Sequence, residues 1–141
     1  MLMKEEKSAG GIVIKKISSE WNVLVITDMS GKMTFPKGMI KNNENVQEAA
    51  VREVAEETGI SRLEFIKNLG EVRYFYRKNG LRRKSVKYML FITGYDGQFK
   101  PQHDEGIKDA AWIPIDSAPG IIGYPETNIP ILKKTLKYLS D

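Results

Sequence analysis

Cysteine is absent from the 141 residues, which excludes a disulfide framework, a thiolate zinc site and a thiol nucleophile. Histidine occurs once, at His103, in a polar stretch where the plain reading is a solvated loop side chain with an ordinary near-neutral pKa. No apolar run approaches the length of a membrane span, and the N-terminus lacks a charged segment leading into a long apolar stretch. A cytoplasmic location without membrane contact is the default expectation. Repeats, linkers and low-complexity tracts are also missing. The length fits one domain over residues 1–141, long enough to bury a real core.

Negative charge is missing from one place in particular. Between Arg73 and Lys87 stand Arg73, Arg77, Lys78, Arg82, Arg83, Lys84 and Lys87, with no acidic residue among them. The net charge of +4 and the isoelectric point near 9.2 are only mildly basic by themselves, so the distribution says more than the total. A basic segment opposite an acidic one suits a polyphosphate held from both sides.

The acids concentrate in the run Arg52-Glu53-Val54-Ala55-Glu56-Glu57-Thr58-Gly59-Ile60. Asn45 with Glu48 three residues later reads as an N-cap and its capping-box partner, and Gly59 stands where a left-handed residue ends a helix. The spacing predicts a helix over 46–58, with Val46, Ala50 and Val54 as an apolar row for a core. Glu53, Glu56 and Glu57 then lie at i, i+3 and i+4 on one side. Like charges so placed repel one another, and a divalent cation, Mg²⁺ or a close relative such as Mn²⁺, would relieve the repulsion.

Strands are expected at 8–16 and 21–27 across a turn at Ser18-Ser19-Glu20, with a short one at 33–36. Residues 63–77 and 84–95 read as two long strands joined at Asn79-Gly80, the strongest short hairpin signal in the chain. A strand near 107–113 follows a polar loop, and Ile131, Leu132, Leu136 and Leu139 mark a helix over about 127–139. Mixed strands with one helix in the middle and one at the end imply the α/β class. Period-two alternation places Val72, Tyr74 and Tyr76 on one face, where Tyr74 or Tyr76 would either stack on a nucleobase or serve as core tyrosines with their hydroxyls at the rim.

The acidic helix and its approach resemble the signature of the Nudix hydrolases, G-x5-E-x7-R-E-U-x-E-E-x-G-U with U a bulky apolar residue. Gly38, Glu44, Arg52, Glu53, Val54, Glu56, Glu57, Gly59 and Ile60 fill every defined position. A chance match at a given start has a probability on the order of 10⁻⁹ at background residue frequencies. The resemblance implies an α/β/α sandwich around a central mixed β-sheet and metal-dependent hydrolysis of a phosphoanhydride by water. It implies metal binding by Glu53, Glu56, Glu57 and the Gly38 carbonyl, an orienting role for Arg52 and a loop-supporting role for Glu44. The base that takes the proton from water is then Glu53 first, or Glu105 in a later loop.

Substrate preference depends on residues outside the signature. Phe35-Pro36-Lys37-Gly38 resembles the F/L-P-K-G approach of dinucleoside polyphosphate, diphosphoinositol polyphosphate and RNA 5′-pyrophosphate hydrolases, where Lys37 would supply a charge to a phosphate. Lys84-Ser85-Val86-Lys87-Tyr88-Met89-Leu90 resembles the K-x-V-x-Y-F-L strand of the dinucleoside polyphosphate group, which makes Lys84 a second phosphate contact. The resemblance thus puts a dinucleoside polyphosphate such as diadenosine tetraphosphate first among substrates. A nucleoside triphosphate pyrophosphohydrolase of the sanitising type is the main rival, with diphosphoinositol phosphate and RNA ranked below. Monomer and homodimer both fit the sequence.

Overall fold

Serines 18 and 19 take left-handed conformations, φ 49° and 70°, and fold β1 (Lys4–Ile17) onto β2 (Glu20–Asp28). The first residues of β1 show no apolar alternation. Parallel pairing with β6 (Leu81–Ile92) holds them, from Lys4 opposite Arg82 to Ile14 opposite Ile92. Ion pairs from Arg82 to Glu6 at 3.0 Å and from Arg83 to Glu5 reinforce that pairing. β1 therefore begins four residues before the expected 8–16, because its partner is distant in sequence.

The strand expected at 33–36 is divided. β3 (Met33–Thr34) pairs with β2, and β4 (Lys37–Met39) pairs with β1. Between them Pro36, which has no N–H for a ladder, offers its carbonyl to the Gly11 N–H at 3.0 Å. Phe35 is fully buried edge-on to Tyr88, with ring centroids 6.1 Å apart. β1 thus pairs with β4 at residues 8–10 and with β2 only from Ile14.

The 13-residue helix α1 (Val46–Thr58) has the expected bounds. β5 (Glu64–Arg77) and β6 form an antiparallel hairpin whose turn holds Asn79 at φ 54° and Gly80 at φ 108°. β6 starts three residues before the expected 84–95 because Arg82 and Arg83 find acids on β1. β7 (Ile107–Pro114) pairs with β2, and α2 (Pro125–Ser140) begins at a proline suited to a first helical turn rather than at residue 127.

The molecule, a computed structural model, is described over residues 3–101 and 107–141. Its mixed sheet runs β3-β2-β1-β6-β5, with β4 beside β1 and β7 beside β2. Ala49, Ala50 and Val54 of α1 pack on Ala9, Val13, Leu24 and Phe91. Ile131 and Leu132 of α2 pack on Ile12, Ile14, Val25 and Leu90, from the other side. Neighbouring strand residues alternate between these clusters, as pleating requires, so the layers are α/β/α. Among the described residues no helix is long and apolar enough to cross a membrane.

Candidate active site

The capping box at the start of α1 is complete. Asn45 Oδ1 accepts from the Glu48 N–H at 2.8 Å, and Glu48 Oε1 accepts from the Asn45 N–H at 2.9 Å. At the other end Gly59 sits at φ 82° and its N–H closes on the Ala55 carbonyl at 2.8 Å. With both ends set and Ala50 and Val54 buried, Arg52, Glu53, Glu56 and Glu57 are aimed toward the loop and short strand of residues 37–44.

Arg52 organises that side. Its Nε and Nη2 donate to the two oxygens of Glu44 at 2.6 and 2.9 Å, and Nη2 also donates to the Met39 carbonyl at 2.9 Å. Nη1 donates to Glu53 Oε1 at 2.7 Å and lies 3.3 Å from both oxygens of Glu56. Glu44 in turn accepts the Lys41 N–H at 2.8 Å. One planar guanidinium therefore fixes the loop and two helix carboxylates together, a geometry that an ammonium lacks. The pair raises the arginine pKa and holds the Glu44 carboxyl below its usual value, with the mutual hydrogen bond as the largest cause of each.

Glu53 lies against the backbone of β4. A Cβ added at Gly38 would stand 2.2 Å from the Glu53 carboxyl carbon and 2.3 Å from each oxygen. Glu57 is a half-buried neighbour. Its Oε2 has no hydrogen-bond partner, and burial, followed by the charge of Glu53, pushes its carboxyl up to about 9. The Lys37 backbone N–H supports the other side of this carboxylate. Burial first, and the charge of Lys84 next, brings the Lys37 ammonium down to about 8.

Glu53 and Glu57 approach each other, and Arg52 engages both Glu53 and Glu56; among the described residues no three such side chains meet around one point. The donor set nevertheless fits a divalent cation. It offers hard oxygens only, it contains a buried carboxylate oxygen without a partner, and its charges repel. Glu53, Glu57 and Glu56 would hold the ion, beside the Gly38 carbonyl.

On the α2 side of Lys37 and Glu57 opens a cleft of about 680 Å³. Phe35, Tyr74 and Tyr88 form its apolar part, and Asp28, Tyr124 and Asn128 close the far end. The Tyr124 hydroxyl donates to Asp28 Oδ2 at 2.5 Å, and Lys32 Nζ lies 4.8 Å from the centroid of the Tyr124 ring. Asn128 Nδ2 donates to Thr34 Oγ1 at 3.0 Å and to the Gly123 carbonyl at 2.8 Å. An aromatic slot thus opens beside the Lys37 ammonium and the Glu57 carboxyl.

A family model for the NUDIX domain matches residues 7–137. The chain belongs to the Nudix family. A putative mutator protein MutT4 of Mycobacterium tuberculosis is 31% identical over 128 residues, which cover 86% of this chain and 51% of that protein. The chain spans about half the length of the first curated relatives it matches. An 8-oxo-dGTP diphosphatase of Buchnera aphidicola is 29% identical and covered at 97% of this chain and 98% of its own. Among solved structures, the binary complex of a C. elegans Ap4A hydrolase superposes with a TM-score of 0.78 at 25% identity, covering 96% of this chain and 98% of that one.

Around this Nudix helix the structure gathers Gly38, Glu44, Arg52, Glu53, Glu56, Glu57 and Lys37, with Lys84 close enough to act on the Lys37 ammonium. Tyr74 lines the cleft. Tyr76 lies next to it with ring centroids 6.4 Å apart, but its hydroxyl is bonded to Glu6. His103 and Glu105 lie outside the described residues. Asp28, Tyr124 and Asn128 were not among the sequence candidates. Tyr124-Pro125 stands out only as a dipeptide before a helix, and nothing local links it to Asp28, which is 96 positions away.

Proposed function

We propose that this Nudix protein is a divalent-metal-dependent pyrophosphohydrolase that cleaves a phosphoanhydride in a nucleoside diphosphate linked to another group. A dinucleoside polyphosphate such as diadenosine tetraphosphate is the leading substrate, and Mg²⁺ the leading cation, with Mn²⁺ as a substitute. The observation that carries the reading is the buried, unpartnered Oε2 of Glu57 beside Lys37, at the mouth of an aromatic cleft. Carboxylates serve a cation there, an ammonium serves a phosphate, and Tyr74 and Tyr88 offer ring faces and edges to a base.

The cation, when bound, neutralises phosphate charge and lowers the pKa of a water. Lys37 and Lys84 place the polyphosphate, and the slot between Phe35 and Tyr74 orients the nucleoside. Glu53, held by Arg52 and pressed on Gly38, stands to take the proton from water as its oxygen bonds to phosphorus. The phosphorus–oxygen bond to the departing phosphate then breaks, and the two products separate with one added water between them. Glu105 is the second choice for that base.

Product identification by mass-resolved chromatography tests this, with Mg²⁺ and a panel of dinucleoside polyphosphates, ordinary and oxidised nucleoside triphosphates, diphosphoinositol phosphates and 5′-triphosphorylated RNA. Nucleoside triphosphate plus monophosphate from the tetraphosphate is the expected result. No Mg²⁺- or Mn²⁺-dependent cleavage in the panel would sink the proposal. Faster release of pyrophosphate from an oxidised nucleoside triphosphate would favour the sanitising reading, which the end-to-end similarity to an 8-oxo-dGTP diphosphatase supports.

A further inference from the structure

β5 is an open edge of the sheet. Among the described residues it pairs with β6 on one side and with no strand on the other, and such an edge offers backbone donors and acceptors to another chain. Its first half is blunted. The ladder shifts between Phe65 and Lys67 and again between Asn68 and Gly70, the Asn68 side chain accepts the Gly70 N–H at 2.7 Å, and Lys134 Nζ donates to the Leu69 carbonyl at 2.9 Å. From Glu71, opposite Lys87, to Arg77, opposite Leu81, the register is unbroken. That stretch is the part of the edge these devices leave open.

Glu71, Arg73, Phe75 and Arg77 are exposed there, and the half-buried Val72, Tyr74 and Tyr76 alternate with them. A two-fold axis perpendicular to the sheet sets a second copy antiparallel and keeps each face on its own side, so odd residues meet odd and even meet even. Centred on Tyr74, that axis brings Glu71 against Arg77 of the second copy, Arg73 against its Phe75, and Val72 against its Tyr76. Each contact occurs twice. Carboxylate–guanidinium and guanidinium–ring pairs are both favourable across strands. Glu71 already accepts from Arg73 of its own chain at 3.3 Å, and a carboxylate has acceptor sites for a second guanidinium. An axis at Arg73 would oppose that arginine to itself, and one at Phe75 would oppose Arg73 to Arg77, both disfavoured. An axis at Val72 would draw the irregularity at Asn68 and Gly70 into the ladder.

We propose that the protein self-associates through this edge, two copies joining β5 to β5 about an axis at Tyr74 into one continuous sheet. Self-complementary charge in this register makes the occupant a second copy rather than an unrelated strand. Val72, Tyr74 and Phe75 also line the cleft. Tyr74 and Tyr76 of the second copy therefore lie beside that rim and extend its aromatic wall. Association through β5 does not depend on the hydrolytic reading of the site.

Sedimentation equilibrium of the full chain over a concentration series, without substrate, tests it independently of turnover. The wild type should form a dimer. Glu71→Arg and Arg77→Glu should each weaken it at least about tenfold, because two cross-strand pairs of like charge replace two of opposite charge. The double variant should recover it. The chain has no cysteine of its own, so a single introduced one reports the register. Directly opposite Cα atoms lie about 4.5–5.5 Å apart, within disulfide reach, whereas diagonal neighbours stand about 7–8 Å apart, beyond it. Mild oxidation should therefore cross-link Tyr74→Cys and spare Phe75→Cys, with thermal melts confirming that every variant folds. A wild type that stays monomeric at all concentrations overturns the proposal. So does a dimer indifferent to both charge reversals, a folded double variant that fails to recover, or a cross-link at Phe75→Cys in place of Tyr74→Cys.

Discussion

Replacing Gly38 by alanine tests the active-site reading with one methyl group. The added Cβ would stand 2.2 Å from the Glu53 carboxyl carbon. Ordinary contact begins near 3.4 Å, so Glu53 must retreat by at least about 1.2 Å. Gly38 does not have a positive φ, so alanine is acceptable to the backbone. The obstacle is a movable side chain, which means the fold should survive. A misplacement of about 1 Å at a reacting group costs on the order of 10²-fold in rate. The expected result is therefore a fall of about 100-fold in kcat/KM for the preferred polyphosphate, with Tm within a few degrees of wild type. Gly94→Ala, where nothing lies within 4 Å of the new Cβ, is the control and should leave both quantities unchanged. Near-normal turnover in Gly38→Ala, with Tm preserved, would refute the claim that Glu53 works from this position.

Glu56→Gln and Glu57→Gln should each lower turnover by about 10²-fold or more, as expected when a ligand to a catalytic cation is lost; steady-state assays at saturating Mg²⁺ that find both near wild type would remove the assigned metal site. Because the native Glu57 carboxyl titrates near 9 instead of 4.5, the native state holds a proton that the unfolded chain releases between those values. The metal-free protein should then lose stability as pH rises through that window, and Glu57→Gln should flatten the trend, as read by thermal melts in EDTA. Gly59→Ala places a Cβ 2.4 Å from the Lys100 carbonyl at φ 82°, a backbone clash added to left-handed strain, and should cost about 2 kcal/mol or more by denaturant titration. Arg52→Lys keeps the charge but not the fork that grips both oxygens of Glu44; turnover should fall at least about tenfold, and wild-type turnover would contradict the orienting role.

Local signals carried much of the fold. The Asn45–Glu48 capping box and Gly59 define α1 because every group involved lies within its own segment. The hairpin at Asn79-Gly80 was legible for the same reason. The start of β1 was not, since Lys4 to Lys7 are polar and are ordered by Arg82 and Arg83 from across the chain. The signature residues announced Glu53, Glu56 and Glu57 as a group. That Glu57 would carry the buried, unpartnered oxygen follows only from its place beside Lys37, Tyr74 and Tyr88 in the cleft. The far wall was invisible in the sequence, because Asp28, Thr34, Tyr124 and Asn128 meet by tertiary contact alone.

The arrangement of charge is what supports the proposed cation at this site. Arg52 already offsets Glu44 and reaches Glu53 and Glu56, so its single positive charge is divided among three carboxylates. Glu57 has Lys37 nearby, yet burial depresses that ammonium at the same time as it raises the carboxyl. With Lys37 at about 8 and Glu57 at about 9, the pair at neutral pH keeps the ammonium's charge but not the carboxylate's. A divalent ion beside Glu57 would favour the ionised carboxylate and would add positive charge where the proposed diphosphate sits. On the proposed reading the carboxylates of the acidic helix depend on the cation for their charge state, and substrate affinity should rise with Mg²⁺ even in variants too slow to turn over.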